Sequence, residues 1–492
     1  MTNKSIDHYS TYSARQMTLA KLMTMLSYLD VRKVFVKPLS PNDNSKNQPY
    51  FGSDYSVLNI IPTGQITAHE SKSRKKTGGP KKTIFRAPLD LTWVDPKGQF
   101  HPAKNAKLIL YPQYPEVRFS GYLQGSSINM SEWMLPEKQG RSEGRFLVLG
   151  VTNSGRIFSY LAIPNTGLSK ELSLQKSENA HGVFFELNMP PRLQLHETGD
   201  LFRSVADAAC FYDSSPIESL DTREQLITKL REIHNKGWIN SKRLDKDGNE
   251  LDCNAPNCGG YTLEAELGVT PNGYSEPDYL GWEIKQYGVT DFSKIDSKVV
   301  TLMTPEPTGG VYQESGVEAF LRQFGYEDLK GRADRINFGG IHKAGIRHER
   351  TNLTLLLDGF DPVKKKITDA DGGIILKSDN DTIAAKWHFS GILEHWKRKH
   401  NQAAYIPSLN TKDPRQYRYG NIIKLGEGTD VAYLLAALSN KTIYYDPGIK
   451  MENASSSCPN IKRRSQFRIK SGFLDKLYKT MTHVDLNIGD IS

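Results

Sequence analysis

Between residues 31 and 190 the apolar residues come in short runs, and beyond about 220 they alternate between helical and strand-like spacing. That change of period constrains the fold more than composition does, because a period of two builds strands and one of 3.6 builds helices. The runs VRKVFVKPL (31–39), APLDLTWV (87–94), AKLILYPQY (106–114), EVRFSGYL (116–123), GRFLVLGVT (144–152), RIFSYLAIP (156–164) and GVFFELNMP (182–190) are β-branched and aromatic, broken by Pro, Gly or Asn. Seven short strands with few helices between them predict a small barrel or sandwich. Ahead of them, the helical spacing of STYSARQMTLAKLMTMLSYL (10–29) predicts a helix.

The pattern changes near 190–222. TREQLITKLREIHNKGWI (222–239) reads as an amphipathic helix. Strand-like YLGWEIKQYG, INFGGIHK, TNLTLLLDGF and TIYYD then alternate with a long helix over 382–400 and another over TDVAYLLAALSN. Mixed elements of this kind predict an α/β or α+β domain. A chain of 492 residues exceeds one ordinary core, and the expected division is a β-rich domain over 1–200 and an α/β domain over 201–492.

Charge follows the same division. Residues 1–200 hold 25 Lys and Arg against 16 Asp and Glu, and residues 201–492 hold 39 of each. The whole excess of +9 sits in the first domain, a common footprint of nucleic-acid binding. The basic stretch ESKSRKKTGGPKKTIFR (70–86) reads as a solvated loop, with a phosphate-contacting arm as the alternative. No apolar run reaches eighteen residues, so no membrane partner is expected. The N-terminus lacks a signal-peptide pattern, and the expected location is cytoplasmic. Four cysteines at irregular spacing do not make a disulfide framework, and Cys253 and Cys258 lack the second ligand pair of a zinc site. His388 and His395, beside Trp387 and Trp396, are seven apart on the expected long helix and read as packing residues.

The chemistry concentrates in residues 259–288. Pro277-Asp278 precedes Glu283-Ile284-Lys285 on a strand-like stretch, where residues two apart share a face. A turn between them can bring Asp278 beside Glu283. Two converging carboxylates suit Mg²⁺, a hard cation that keeps several waters. An adjacent ammonium can position the attacking water and stabilise charge on a phosphate. These are the parts for phosphodiester hydrolysis.

The wider segment resembles the MvaI/BcnI family of restriction endonucleases, itself similar to the mismatch-repair nickase MutH. In that family a TLE element precedes PD…GWEIK, as Thr262-Leu263-Glu264 does here. The resemblance implies a restriction-endonuclease-like PD-(D/E)XK domain in which Asp278, Glu283 and Lys285 are catalytic. It implies that Asp278 and Glu283 hold the Mg²⁺ and that Glu264 is a supporting acid. It runs from about 215 to the end, through GRADRINFGGIHKAGIRHERTNLTL (331–355) and YYDPGIKMENASSSCPNIKRRSQFRI (444–469). Within it, Lys462, Arg463, Arg464, Arg468 and Lys470 form a basic stretch suited to guanine edges or phosphates, or simply a solvated face. His342, Lys343, Arg347, His348 and Arg350 form a second basic turn that could approach DNA.

VFVKPLSPNDNSKNQPYFG (34–52) resembles the start of the effector domain of EcoRII-type restriction enzymes, a pseudobarrel shared with plant B-three DNA-binding domains. LTWVDPKGQFHPAKNAKLILYPQYPEVRF continues the likeness, although loop lengths differ and an arginine-rich arm is not evident. The resemblance implies two loops gripping the major groove, with Lys37, Asn42, Asp43, Gln48, Lys107, Tyr114 and Arg118 as candidates. PNDNS also reads as a plain turn.

The expectation is a type II restriction endonuclease with two DNA-binding modules, similar to enzymes that fuse these two domain types. The resemblance further implies a target such as CCWGG, 5′-phosphate and 3′-hydroxyl ends, a monomer that binds two target copies, and a cognate DNA methyltransferase as functional partner. The alternatives are a MutH-like nickase, a modification-dependent enzyme with Trp93, Tyr111 or Tyr114 lining a base pocket, and an inert DNA-binding regulator.

Overall fold

The computed structural model describes residues 12–40, 48–71, 82–114, 116–134, 143–175, 180–189, 222–270, 277–397 and 400–491. Asn42, Asp43, most of the basic 70–86 loop and the expected boundary near 190–222 lie outside the described residues. The chain divides into two compact units, residues 1–67 with 85–219, and residues 68–84 with 220–492.

The first unit is mostly β, and each of the seven predicted runs contains a strand. Val31–Leu39, Arg145–Thr152 and Ile157–Ala162 are successive neighbours in the middle of a seven-stranded sheet. Arg145–Thr152 and Ile157–Ala162 are buried at every position, which is why they lack polar alternation. In a second sheet Tyr50–Gly52, Glu116–Ser120, Lys107–Tyr111 and Thr83–Pro88 are neighbours in that order. Phe51 joins the sheets, stacking on Phe119 at 5.0 Å and meeting Phe184 edge-on at 5.0 Å. Trp93 is fully buried and donates its indole N–H to the Tyr122 carbonyl at 2.8 Å. It belongs to the core.

In the second unit, Gln402–Asn410 is the hub of the largest sheet. It pairs antiparallel with Ile422–Glu427 and, at its far end, with Gln416–Tyr419, and parallel with Glu283–Gly288. Thr480–Asp485 extends the sheet beyond Ile422–Glu427. The amphipathic helix Thr222–Asn235 and the helix Cys258–Glu266 cover one face. Their Leu226, Leu230, Ile233 and Leu263 share a buried cluster with Ile284, Ala404, Ile406, Ile423, Leu425 and Val484. At about 25 cal/mol per Å² of apolar surface, each such side chain contributes roughly 1.5–3 kcal/mol before the entropy of ordering is charged against it. No helix among the described residues is long and apolar enough to cross a membrane.

Three expectations need correction. The long helix over 382–400 is instead a strand, Ile383–His388, followed by a short helix, Phe389–Trp396. Pairing with Gly373–Ser378 and burial of Trp387 between Tyr445 and Phe467 outweigh the helical spacing. His388 and His395 therefore share no helix face. The helix over 10–29 is broken into Tyr12–Arg15 and Leu19–Tyr28, because the extended Thr18 caps the second and accepts a bond from the Lys21 N–H. Cys253 and Cys258 form a disulfide where none was expected, closing the loop into the helix Cys258–Glu266.

Gly121 marks a close approach in the first unit. It has φ +69°, and a Cβ there would lie 2.1 Å from the Asn105 carbonyl oxygen. Gly121→Ala is expected to destabilise by roughly 1–3 kcal/mol. Gly182→Ala, at φ +65° with open space around it, should lower the thermal midpoint of the full chain less.

Candidate active site

The strand Glu283–Gly288 forms because Ile284 and Tyr287 are buried and Trp282, just ahead of it, is fully enclosed. Its parallel register sets Glu283 beside Ala403 and Lys285 beside Tyr405. Ile284 joins the helix-covered core, so Glu283 and Lys285 share the opposite face. They form an ion pair, with Lys285 Nζ donating to Glu283 Oε1. Glu283 is 1% exposed and Lys285 23%. The carboxylate thus sits in a low-dielectric place, paired with a cation that solvent can still reach.

A tight turn brings in Asp278. Tyr279 and Trp282 exchange both backbone bonds, at 3.0 and 2.8 Å, across Leu280 (φ +50°) and Gly281 (φ +88°). Two successive left-handed residues make a hairpin turn of the kind favoured by right-twisted strands. Leu is an unusual occupant, since its Cβ makes this conformation costly. The turn reverses the chain so that Asp278 Oδ2 accepts the Ile284 N–H at 2.9 Å. Asp278, Glu283 and Lys285 are therefore drawn together at the head of one strand.

Glu264 is carried by a helix rather than by this strand. It is half-buried on the helix Cys258–Glu266, whose Gly259 packs on the Gln286 side chain. Gln286 points to the face opposite Glu283. Glu266, two residues on, is held by Lys236 at 2.5 Å and Lys242 at 2.8 Å.

The donor set fits a hard divalent cation. One Asp278 oxygen is fixed by the main chain, and Glu283 supplies a second carboxylate. The described residues gather no group of three or more His, Cys, Asp or Glu at metal-binding distance. Mg²⁺ needs only one or two carboxylates when water and phosphate oxygens complete its shell.

A model of the MvaI/BcnI restriction endonuclease family matches residues 227–478, which is just over half the chain and contains this whole arrangement. The chain belongs to the MvaI/BcnI restriction endonuclease family. It is a nuclease that acts on DNA. Among solved structures it is similar to an MvaI–cognate DNA substrate complex, at 17% identity over 53% of this chain and 97% of that one, with a TM-score of 0.39. It is also similar to MvaI without DNA, at 15% identity over 54% and 99%, with a TM-score of 0.31. No protein of curated function matches it.

The basic residues of this MvaI/BcnI-type unit divide into held and open ones. Arg347 is clamped by both Asp379 oxygens, with its Nη2 at 2.7 Å, and Arg468 is held by Asp446 at 2.6 Å. Arg350 lies over the Tyr326 ring at 5.7 Å. Lys462, Arg463 and Arg464 form an exposed run, with Lys462 3.7 Å from Glu452. His342 is no surface residue, against expectation. It is completely buried, stacked on His348 at 4.2 Å, with Nε2 3.0 Å from Thr351 Oγ1 and Nδ1 3.0 Å from the Gly340 carbonyl. His348 is half-buried against it and also 3.2 Å from Thr351 Oγ1.

In the first unit Arg86, Lys107, Tyr111, Glu116 and Arg118 share one face of their sheet, because Leu108, Leu110, Val117 and Phe119 fill the other. Arg118 pairs with Glu116 at 3.0 Å, lies over the Tyr50 ring at 5.3 Å, and donates to the Gln48 carbonyl at 3.4 Å. Gln48 donates to Ser120 Oγ at 2.9 Å. Lys37 is buried, and burial, then the nearby Arg118, push its pKa down to about 8. Burial and Arg86 likewise lower Lys107. Tyr114 is 65% exposed in the turn that follows. Arg86 and Tyr50 escaped the sequence reading, and Tyr111 entered it only as a candidate for a base pocket.

The buried His342 carries a pH signature. Burial first, then His348, hold its pKa down to about 3, while the Gly340 carbonyl bond opposes them. Unfolding restores a value near 6.5, so the unfolded chain binds the extra proton and stability falls as pH drops from about 6.5 towards 3. His342→Gln should flatten that acid slope, as read from urea midpoints between pH 4 and 7.

Proposed function

We propose that the chain is a Mg²⁺-dependent type II restriction endonuclease that cuts double-stranded DNA at a short sequence. The reading rests on the Glu283–Lys285 ion pair on one face of a strand and on Asp278 bonded to the Ile284 N–H between them, within the family-matched region. It treats residues 201–492 as a PD-(D/E)XK domain. A target such as CCWGG and action as a cytoplasmic monomer, alongside a cognate DNA methyltransferase, follow from the resemblance.

The chemistry is hydrolysis of a phosphodiester. A water oxygen attacks phosphorus, the bond from phosphorus to the 3′ oxygen breaks, and 5′-phosphate and 3′-hydroxyl ends result. Asp278 and Glu283 would hold the Mg²⁺, which lowers the pKa of bound water and offsets charge on the phosphate. Lys285 gives up Glu283 and turns its ammonium towards the attacked phosphate and the incoming water. Its partial exposure permits that swing. The Ile284 N–H keeps Asp278 from rotating away, so the carboxylates stay aligned without a large entropic cost. Arg463 and Arg464, with Lys462 beside Glu452, are exposed and would meet phosphates or guanine edges. Arg347, His348, Arg350 and Arg468 are pre-positioned by their neighbours, and Glu264 supports the site from its helix.

The N-terminal β-rich module, residues 1–200, is proposed to bind a second target copy as effector or tether. What supports this is the crowding of Lys37, Arg86, Lys107 and Arg118 around Glu116, which leaves cations that a phosphate backbone would neutralise. Gln48 and Tyr114 flank the same face, and Asn42 and Asp43, which lie outside the described residues, are proposed with them. A pseudobarrel of the B-three kind accommodates this arrangement.

Supercoiled plasmid incubated with the full chain and Mg²⁺ should become linear with uniform ends, and EDTA should stop it. Asp278→Ala and Lys285→Ala should each slow cutting by roughly 10²–10³-fold. Product limited to open circles would favour a nickase, and no cutting by the unaltered chain would overturn the nuclease site. For the N-terminal module, Arg118→Ala should weaken binding of an added short target duplex and lower its salt slope by about 1. Cleavage indifferent both to that duplex and to Arg118→Ala would end the effector reading.

A further inference from the structure

The turn that carries Asp278 towards Glu283 holds a residue that its shape does not call for. Leu280 and Gly281 are both left-handed, at φ +50° and +88°. Such a pair is best filled by Asn or Asp followed by Gly. Gly281 obeys that preference and Leu280 does not. Of the nine described non-glycine residues with positive φ, six are Asn or Asp and two are Lys. Leu280 is the one apolar residue among them. The conformation is costly for such a side chain, and Asn would hold the same turn with less strain.

The apolar core does not supply the reason. Trp282 lies in the buried cluster beneath the helices, and Tyr279, bonded to it across the turn, packs against that cluster. Side chains alternate along each arm, so Asp278 and Glu283 point the other way, to the catalytic face. Leu280 stands at the tip, outside the cluster and 42% exposed. Two peptide links separate it from Asp278 and three from Glu283. Its Cα therefore lies within about 8 Å of the first and about 11 Å of the second. Backbone strain is retained at functional sites, and here it holds an exposed apolar side chain beside two catalytic carboxylates.

We propose that Leu280 is a substrate-contacting residue that packs on the deoxyribose next to the attacked phosphate and so aligns the strand over Asp278 and Glu283. The phosphate presents only acceptor oxygens, which suit Lys285 and a cation. The sugars on either side present carbon, which an apolar side chain covers with a gain in free energy. Trp282 pins one arm of the turn and the bond from the Ile284 N–H to Asp278 pins the other. Little motion is therefore lost when the tip meets DNA. Sugar contacts carry no base information, so Leu280 serves affinity and alignment rather than the choice of sequence. The inference rests on the proposed reading of Asp278, Glu283 and Lys285 as the nuclease site.

The test uses the full chain with Leu280→Asn, Leu280→Ala and Leu280→Met, beside Asp278→Ala. Binding and single-turnover cleavage are measured on a short duplex spanning the cut site mapped on the plasmid. Leu280→Asn should raise the thermal midpoint by roughly 2–4 °C as the turn relaxes. It should nevertheless weaken duplex binding roughly 3–10-fold and slow cleavage by roughly 10-fold or more. Leu280→Ala removes the side chain without relieving the backbone, so it should lose binding and cleavage with no gain in midpoint. Leu280→Met keeps an apolar side chain of similar reach and should recover most of both losses. A purely structural role would lower the midpoint of Leu280→Asn and leave its duplex affinity unchanged, which overturns the contact. If Leu280→Asn and Leu280→Ala bind and cleave like the parent while Asp278→Ala is inactive, the contact is wrong and the nuclease site stands. If Asp278→Ala cleaves normally, or the unaltered chain cuts no DNA, the reading of the site fails and this inference falls with it.

Discussion

The parallel pairing of Glu283–Gly288 with Gln402–Asn410 is the contact on which the rest of the second unit depends. It sorts alternate side chains of one six-residue strand into two environments. Ile284 goes to the apolar cluster under the two helices, and Glu283 and Lys285 go to the other face. A register shift of one residue would bury Lys285 among leucines and expose Ile284, so the core enforces the site. Core and chemistry are therefore two readings of one alignment.

Much of this was legible in the residues. Alternation about Glu283, Ile284 and Lys285 announced a strand and a shared face, and the spacing from Asp278 left room for a turn. The turn itself was less legible, since Leu280 is not a residue that advertises a left-handed conformation. The β-runs of the first unit were plain because β-branched and aromatic residues recur between Gly and Pro. The stretch 382–400 misled because its apolar spacing fits a helix, whereas its first half is claimed by a neighbouring strand and by the aromatic pocket around Trp387. His342 misled for a related reason. It stands among Lys343, Arg347 and Arg350, yet a single residue in a basic turn can point inward and stack on His348. Periodicity reports local preference, and long-range pairing decides where it is overruled.

Glu264 shows another limit. Its position beside Thr262 and Leu263 matches a family pattern. The helix that bears it packs on the Gln286 side of the strand. The bond between the Tyr405 and Tyr478 hydroxyls, by contrast, is invisible in sequence, because Tyr405 and Tyr478 are far apart in the chain and only the fold unites them.

The crowded cations of the first unit have a consequence for how this module answers its surroundings. Arg118 disfavours the charge of Lys37 and Arg86 that of Lys107, while Glu116 pairs with Arg118. Dissolved ions weaken that repulsion and so favour the folded module, yet the same ions compete with a polyanion for the same face. On the proposed reading of this unit as a DNA-binding module, salt pulls folding and recognition in opposite directions at one surface.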